Sequence, residues 1–203
     1  MKNREDIRQE VRHKRSKLND IRQKEQGVLL LEKLTRQTEI VNANKIAIYL
    51  ANDGELNTQP FINWCFKNNI SVYLPVIHPF SKGNLLFLKY TETSILIKNK
   101  YGILEPKLDV RDIITVDNLD IIFTPLVAFD VRGNRLGMGG GFYDRTLATW
   151  HVQYQQSKQS KQTKLLPIGL AHDCQKVKNI PFESWDIPLP IIITPSTRYN
   201  FDI

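Results

Sequence analysis

The chain has 203 residues, of which 41% are hydrophobic and 24% charged. This length and composition are typical of one globular domain with its own core. The chain contains no apolar run long enough to cross a membrane, and the charged segment Met1–Asp6 does not resemble a signal peptide. Two distant cysteines, Cys65 and Cys174, show no metal-ligand spacing. We therefore expect reduced thiols and a cytoplasmic protein.

The net charge of +7 (28 basic minus 21 acidic residues) raises the question of nucleic-acid binding. Basic and acidic residues are interspersed over Lys2–Glu25, however, as on a solvated helix. The polar segment Tyr154–Lys164 has no interleaved aromatic residues and is interpreted as a flexible surface loop. The excess charge is interpreted as a field that attracts anionic small molecules. A basic nucleic-acid-binding protein is kept as an alternative.

The first part of the chain is predicted to be helical. Its apolar residues recur at near-helical spacing: Ile7, Val11, Leu18 and Ile21. They predict one amphipathic helix over Arg4–Lys24, and a second helix is predicted over about 28–41, after Gly27. We expect these helices to form an extension, residues 1–42, that packs on the rest of the domain.

Beyond this extension, short β-rich runs alternate with helical stretches. Strands are predicted over 45–51, 70–76, 85–90, 120–128, 165–171 and 191–194. Helices are predicted over 60–68 and 142–150. Such alternation indicates a sheet that is covered on both faces. The prediction is a single three-layer α/β/α domain over residues 1–203, with a largely parallel or mixed central sheet.

The most informative segment is the glycine-rich stretch from Arg135 to Arg145. Its glycines at 137, 139, 140 and 141 allow the backbone to turn several N–H groups towards one anion. The helix predicted to follow adds the positive potential of its N-terminus, and the two flanking arginines add fixed charge. Asp144 is placed to hold Mg²⁺ beside bound phosphates. A helix-capping carboxylate is the alternative for this residue.

The general phosphate-binding motifs do not fit this loop. A P-loop ends in Gly-Lys-Ser/Thr, whereas Gly141 is followed by Phe142 and Tyr143. The whole run Arg135-Leu-Gly-Met-Gly-Gly-Gly-Phe-Tyr-Asp144 instead resembles the signature of the 5-formyltetrahydrofolate cyclo-ligase family. Further segments resemble the family in the expected order: the basic N-terminal helix, Gly54-Glu-Leu-Asn-Thr58, Tyr101-Gly-Ile-Leu-Glu-Pro106 and Asp186-Ile-Pro-Leu189.

The resemblance implies conversion of 5-formyltetrahydrofolate into 5,10-methenyltetrahydrofolate with ATP and Mg²⁺, releasing ADP and phosphate. ATP would phosphorylate the formyl oxygen, and N10 would then attack the formyl carbon and close the ring. Alignment and charge neutralisation would be the enzyme's main contributions. We expect a monomer with a small-molecule substrate and with neither a nucleic-acid nor a membrane partner.

The resemblance also implies roles for individual residues. Those implied to bind ATP are Arg4, Arg8, Arg135, Leu136, Gly137, Met138, Gly139, Gly140, Gly141, Phe142 and Tyr143. Those implied to bind the folate are Asn52, Glu55, Asn57, Tyr101, Met138, Gly139, Gly140, Gly141 and Phe142. Asp144 and Asp186 are implied to hold Mg²⁺, and Arg135, Tyr143 and Asp144 to be catalytic. Arg4 departs from the lysine usual in the family, so its planar fork replaces a compact ammonium group.

Two other interpretations stay open at this point. The loop could serve a different nucleotide-dependent ligase or transferase on the same scaffold, since a fold supports many chemistries. The chain could also be a folate-binding relative without turnover. A nucleophilic His172/Cys174 pair is not favoured, because near neighbours along an extended chain do not form such pairs readily. The histidines show no metal-ligand spacing either.

Overall fold

The computed structural model describes residues 2–157 and 164–203. Its helices are α1 (Arg4–Ser16), α2 (Asp20–Thr35), α3 (Thr38–Val41), α4 (Gln59–Lys67) and α5 (Phe142–Ser157). Its strands are β1 (Lys45–Ala47), β2 (Ser71–Ile77), β3 (Leu85–Tyr90), β4 (Leu96–Lys98), β5 (Leu104–Pro106), β6 (Ile113–Ile114), β7 (Ile121–Pro125), β8 (Ala128–Phe129), β9 (Arg135–Leu136), β10 (Leu166–Leu170), β11 (Ile191–Ile193) and β12 (Arg198–Asn200). Within these described ranges, every helix is too short or too polar to cross a membrane.

Eight strands form one sheet in the order β12-β11-β10-β7-β1-β2-β3-β6. The central strands β11, β10, β7, β1 and β2 are parallel to their neighbours within that group. The outer strands β12, β3 and β6 pair in the antiparallel sense. Two hairpins, β4–β5 and β8–β9, lie outside this sheet. The predicted mixed, largely parallel sheet is therefore confirmed.

Helices cover both faces of the sheet. On one face, buried side chains of α2, α3 and α4, such as Leu30 and Phe61, pack against strand residues that include Ile46. On the other face, Leu147 and Trp150 of α5 pack against the strand residues whose side chains point to that side, such as Ala47. Alternation of side chains along each strand divides the apolar residues between the two faces. The three-layer α/β/α class is confirmed, and the single domain over 1–203 stays a prediction.

The prediction of one helix over Arg4–Lys24 is wrong, because the chain breaks between α1 and α2. The side chain of Asn19 accepts a hydrogen bond from the backbone N–H of Arg22 at 2.9 Å and so caps a new helix. After this break Ile21 is 68% exposed. Gly27, expected to precede the second helix, lies inside α2, where a Cβ would approach the carbonyl oxygen of Asn57 to 3.0 Å.

Two predicted boundaries also move. The apolar run 120–128 divides into β7 and β8, since the chain leaves the sheet at Pro125, which has no N–H to donate. Helix α5 extends past Trp150 to Ser157, and Tyr154 stacks on Trp150 with ring centroids 5.1 Å apart. The first residues of the loop predicted over Tyr154–Lys164 are thus helical. Residues 158–163 lie outside the described part of the chain.

Candidate active site

The predicted site residues gather where the parallel strands end. The segment that contains Glu55 follows β1, and the glycine-rich loop follows β7 and the β8–β9 hairpin. His172 follows β10 in the same way. Because these strands are parallel, their carboxyl ends lie on one edge of the sheet. That edge is where open α/β sheets generally bind ligands.

The glycine-rich loop is held between α1 and α5. Arg8 of α1 donates from Nε to the carbonyl oxygen of Gly137 at 2.9 Å. Gly139 and Gly141 have φ values of +95° and +63°, which favour glycine. A Cβ at Gly137 would have no neighbour within 4 Å among the described residues, so the backbone is open to a ligand there. The loop leads directly into the N-terminus of α5.

A second arginine, Arg145, connects this loop with the turn between β2 and β3. Its Nε donates to the carbonyl oxygen of Gly83 at 2.7 Å, and its Nη2 donates to that of Gly140. The guanidinium also lies 5.9 Å from the centre of the Phe142 ring. The sequence suggested only that Arg145 adds charge. Its position as a link between two loops depends on the tertiary structure.

Arg135 and Asp144 form an ion pair at the base of the loop. Nη2 of Arg135 donates to Oδ1 of Asp144 at 2.9 Å, and the side chains are 4% and 27% exposed, respectively. The other guanidinium nitrogen, Nη1, donates to the carbonyl oxygen of Ile187. Burial lowers the pKa of Arg135, while Asp144 and Asp186 oppose that shift. Arg135 therefore faces inward and fixes the Asp144 carboxylate.

Arg4 and Asp186, separated by 182 residues in sequence, form the second ion pair. Arg4 donates from Nη1 to Oδ2 at 2.7 Å and from Nη2 to Oδ1 at 2.9 Å. Asp186 also accepts from the backbone N–H of Glu183 at 2.9 Å. Two parallel hydrogen bonds between a guanidinium and a carboxylate form a strong, directional pair. A residue predicted to bind phosphate and a residue predicted to bind metal are thus bound to each other.

The two aspartates do not form a complete metal site by themselves. Across the described part of the chain, no three His, Cys, Asp or Glu side chains lie close enough together to hold an ion. Asp144 accepts two hydrogen bonds, from Arg135 and from the N–H of Ile187, and both reach Oδ1. No described residue donates to its Oδ2, which is left for another partner. Mg²⁺ commonly uses one or two carboxylates together with water and substrate phosphates, so the oxygens present suit it.

Glu55 lies at the end of a tight turn after β1. The backbone N–H of Glu55 donates to the carbonyl oxygen of Asn52 at 2.9 Å, and Oε2 of Glu55 accepts from the N–H of Asn52 at 3.0 Å. Loss of solvent around the carboxyl raises the pKa of Glu55 to about 7. Burial raises the pKa of Tyr143 above its ordinary value, and the charge of Glu55 adds to that rise. Loss of solvent therefore favours the neutral form of both groups.

The other predicted folate residues lie at more open positions. Tyr101 is 58% exposed, and its ring meets that of Phe142 edge to face with centroids 6.2 Å apart. Met138 is 56% exposed on the loop itself. Asn57 accepts from the backbone N–H of Gln59 at 3.0 Å, where α4 begins. The structure thus brings Tyr101 to the loop, while the one described hydrogen bond of the Asn57 side chain is to its own segment.

Three polar residues around Glu55 were not found from the sequence. Arg12 and Arg15 of α1 both bind Asp53, and His172 is buried with the backbone of Gly54 near its ring. Burial lowers the pKa of His172 to about 4. Arg15 occupies the same helical stripe as the buried Ile7 and Val11. A basic residue in an apolar stripe was the signal that could have identified it.

These features define an α/β protein with a glycine-rich loop at the start of a helix and two arginine–aspartate pairs beside it. The sequence model of the 5-formyltetrahydrofolate cyclo-ligase family matches residues 1–195. The chain belongs to this family, as its sequence motifs predict.

Individual relatives agree with this assignment. A 5-formyltetrahydrofolate cyclo-ligase of Escherichia coli (strain K12) is 48% identical over 191 residues, which cover 94% of this chain and 100% of that protein. One of Haemophilus influenzae is 45% identical and covers 92% of this chain and 94% of its own. The solved structure of the Aquifex aeolicus 5,10-methenyltetrahydrofolate synthetase is 26% identical, with a TM-score of 0.78, and covers 97% of this chain and 92% of its own.

Proposed function

We propose that this chain converts 5-formyltetrahydrofolate into 5,10-methenyltetrahydrofolate in a reaction that consumes ATP and requires Mg²⁺. The observation that carries this proposal is the placement of Glu55 and the glycine-rich loop at one edge of the sheet, in a chain of the cyclo-ligase family. A carboxylate suited to a heterocycle and a backbone suited to phosphates therefore lie at the same edge of the sheet. Family membership favours this chemistry over another ligase on the same scaffold.

The loop residues 137–141 and the start of α5 are proposed to bind the ATP phosphates. Backbone N–H groups at a helix N-terminus attract anions, and glycines allow close approach. Arg8, bound to the loop at Gly137, adds positive charge on the α1 side. Arg4 contributes to the same region through its pair with Asp186. The remaining predicted contacts, at Met138, Phe142 and Tyr143, follow from their positions along this loop. The side chain of Leu136, in β9, is buried, so its predicted contact would be through the backbone.

Asp144 and Asp186 are proposed to hold Mg²⁺ together with phosphate oxygens. Asp144 is the stronger candidate, since its Oδ1 is fixed by Arg135 and its Oδ2 is left for the ion. The oxygens of Asp186 already receive both nitrogens of Arg4. Its part in metal binding therefore requires Arg4 to share the carboxylate or to move to a phosphate. Arg135 supports the site by orienting Asp144.

On the folate side, Glu55 is proposed to accept hydrogen bonds from the N–H groups of the pterin. Asn52 holds the Glu55 carboxylate through its backbone N–H, and Asn57 borders the same segment. The exposed ring of Tyr101 is proposed to stack on a flat heterocycle. The phenol of Tyr143 is proposed to serve as a hydrogen-bond donor; its ordinary pKa near 10 already keeps it protonated at neutral pH, and burial raises that pKa further.

The reaction itself is proposed to depend on alignment. Bound MgATP would supply the phosphoryl group that goes to the formyl oxygen, so that the formyl carbon becomes open to attack by N10 and phosphate can leave. The chain's own groups position the two substrates, neutralise phosphate charge and keep water from the activated carbon. Preorganised charges and dipoles of this kind are a main source of catalysis in phosphoryl transfer. The scheme requires no covalent enzyme nucleophile, in keeping with the burial of His172.

The test is a direct assay of the purified protein with 5-formyltetrahydrofolate and MgATP, following the ultraviolet absorbance of the methenyl product. We expect a rise only when protein, ATP and Mg²⁺ are all present. Folded protein without a rise would contradict the proposal. Substrate binding without turnover would instead identify a non-catalytic relative. Salt-sensitive nucleic-acid binding without nucleotide hydrolysis would favour the alternative of a basic binding protein.

The monomeric state and the cytoplasmic location stay predictions. Size-exclusion chromatography can test the monomeric state.

A further inference from the structure

Two arginines of α1 converge on Asp53, in the turn that precedes Glu55. Arg12 donates from Nε to Oδ2 at 3.0 Å and from Nη2 to Oδ1 at 3.2 Å. Arg15 donates from Nη2 to Oδ2 at 2.7 Å and to the carbonyl oxygen of Asp53 at 2.5 Å. We call the group of Arg12, Arg15 and Asp53 the Asp53 clamp. It binds both the side chain and the backbone of one turn residue.

The turn that the clamp holds has an unfavourable backbone conformation. Asp53 and Gly54 have φ values of +49° and +70°, respectively, in the left-handed region. Together with the hydrogen bond from the N–H of Glu55 to the carbonyl oxygen of Asn52 at 2.9 Å, they resemble a type I′ turn. Side chains other than glycine rarely adopt such φ values without support. The two arginines supply that support at Asp53.

Burial of Arg15 is not explained by stability alone. Its side chain is 1% exposed, and its Nε and Nη1 have no hydrogen-bond partner among the described residues. Burying a cation with unpaired donors opposes folding. The guanidinium stem lies against the turn, since a Cβ at Gly54 would be 3.6 Å from Cγ and 3.7 Å from Nε of Arg15. The buried group thus serves to fix the turn.

The same helix reaches the nucleotide side of the site. At its N-terminal end Arg4 binds Asp186, and one turn later Arg8 binds the carbonyl oxygen of Gly137. Two turns beyond Arg8, Arg15 binds Asp53. Each helical turn advances by about 5.4 Å, so α1 spans the distance between the phosphate loop and the Glu55 turn as one rigid element.

We propose that the Asp53 clamp positions Glu55 for the folate, with Arg15 as a positioning residue, and that α1 thereby joins the folate and nucleotide halves of the site. This inference rests on the proposed function. The clamp acts on the orientation of the turn, because both of its arginines bind Asp53. Loss of the clamp should therefore raise the KM for the folate and leave the KM for ATP unchanged.

The test compares Asp53→Asn, Arg15→Lys and the double variant. Asparagine keeps the size of aspartate and tolerates a left-handed φ, so Asp53→Asn removes the charge with little other change. Each single variant should raise the KM for 5-formyltetrahydrofolate about tenfold, equivalent to about 1.4 kcal/mol. The KM for ATP should stay within about twofold. The double variant should be no worse than Asp53→Asn alone, because that change already weakens the pair between Arg15 and Asp53.

Lys14→Met is the matched control. It removes a neighbouring cation of α1 whose described ion pair is with Glu10 on the surface, and both KM values should be unchanged. An equal rise in both KM values in the clamp variants, or a lower melting temperature with unchanged folate KM, would overturn the proposal and assign the clamp a purely structural role.

Amide hydrogen exchange separates this inference from the proposed function. In Asp53→Asn the amides of residues 52–55 should exchange faster, while those of the glycine-rich loop should not change. If the wild-type protein formed no product, the proposed function would be refuted. The exchange rates would still show whether the Asp53 clamp holds the turn at residues 52–55. Unchanged exchange over residues 52–55 would overturn the clamp even in an active enzyme.

Discussion

Replacing Asp144 by asparagine tests the centre of the proposed site. The change keeps the volume of the side chain and an acceptor oxygen for Nη2 of Arg135, which lies 2.9 Å from Oδ1. It removes the negative charge that faces a guanidinium of 4% exposure. The two effects to separate are lower stability, through Arg135, and lower activity, through the lost carboxylate oxygen.

The stability effect follows from the hydrogen bonds. Asp144→Asn keeps a hydrogen bond from the charged guanidinium but removes its counter-charge. Loss of a partner by a buried polar group costs about 1–3 kcal/mol, and the acceptor oxygen is kept, so the free energy of unfolding should fall by about 1–2 kcal/mol. For a chain of this size, that lowers the melting temperature by about 2–8 °C. Domains are commonly stable by about 5–15 kcal/mol, so the variant should stay folded at 25 °C.

The activity effect should be much larger. Loss of one preorganised electrostatic contact to the transition state typically lowers kcat by about 10²–10³-fold. We therefore expect a rate of methenyl formation at least about a hundredfold below wild type, and a higher Mg²⁺ concentration for half-maximal rate. The assay is the product absorbance at saturating folate and ATP over a range of Mg²⁺, with circular dichroism to measure the folded fraction.

Asp109→Asn is the matched control, since Asp109 also pairs with an arginine, Arg111 at 2.5 Å, but on the surface. It should change neither the rate nor the melting temperature appreciably, because exposed ion pairs contribute little. If Asp144→Asn retained a rate within about threefold of wild type with an unchanged Mg²⁺ requirement, Asp144 would have no part in metal binding or catalysis.

Three further outcomes are expected. Burial raises the pKa of Glu55 from its ordinary value of 4.5 to about 7, so protonation of Glu55 stabilises the folded state. This stabilisation is complete below pH 4.5 and is lost as the pH rises through 7. In urea unfolding, the stability of Glu55→Gln relative to wild type should therefore increase between pH 4.5 and 7. Because burial lowers the pKa of His172 to about 4, stability should fall as pH decreases from about 6.5 through 4, and His172→Gln should lessen that fall. Gly137→Ala should keep the wild-type melting temperature but weaken ATP binding in calorimetry, whereas Gly139→Ala, at φ +95°, should also unfold at a lower temperature.

Local patterns in the sequence determined much of the fold. The apolar strand runs and the change from period 2 to helical spacing identified the strands from β1 to β3, β7, β10 and β11, and the helices α4 and α5. The glycine-rich loop and the family were likewise evident, because a long contiguous motif carries its information in neighbouring residues. The boundary between α1 and α2 was missed, since the cap formed by Asn19 competes with an apolar periodicity that continues through it.

The tertiary structure decided which of these residues interact. Arg4 and Asp186 are 182 positions apart, and Arg15 and Asp53 are 38 apart, so no local pattern pairs them. The sequence placed Arg4 and Arg8 on the first predicted helix and Glu55 between a predicted strand and a predicted helix, but it contained no sign that a single helix reaches both halves of the site. Such contacts arise only when the parallel strands bring their carboxyl ends to one edge, where α1 then packs across the loops.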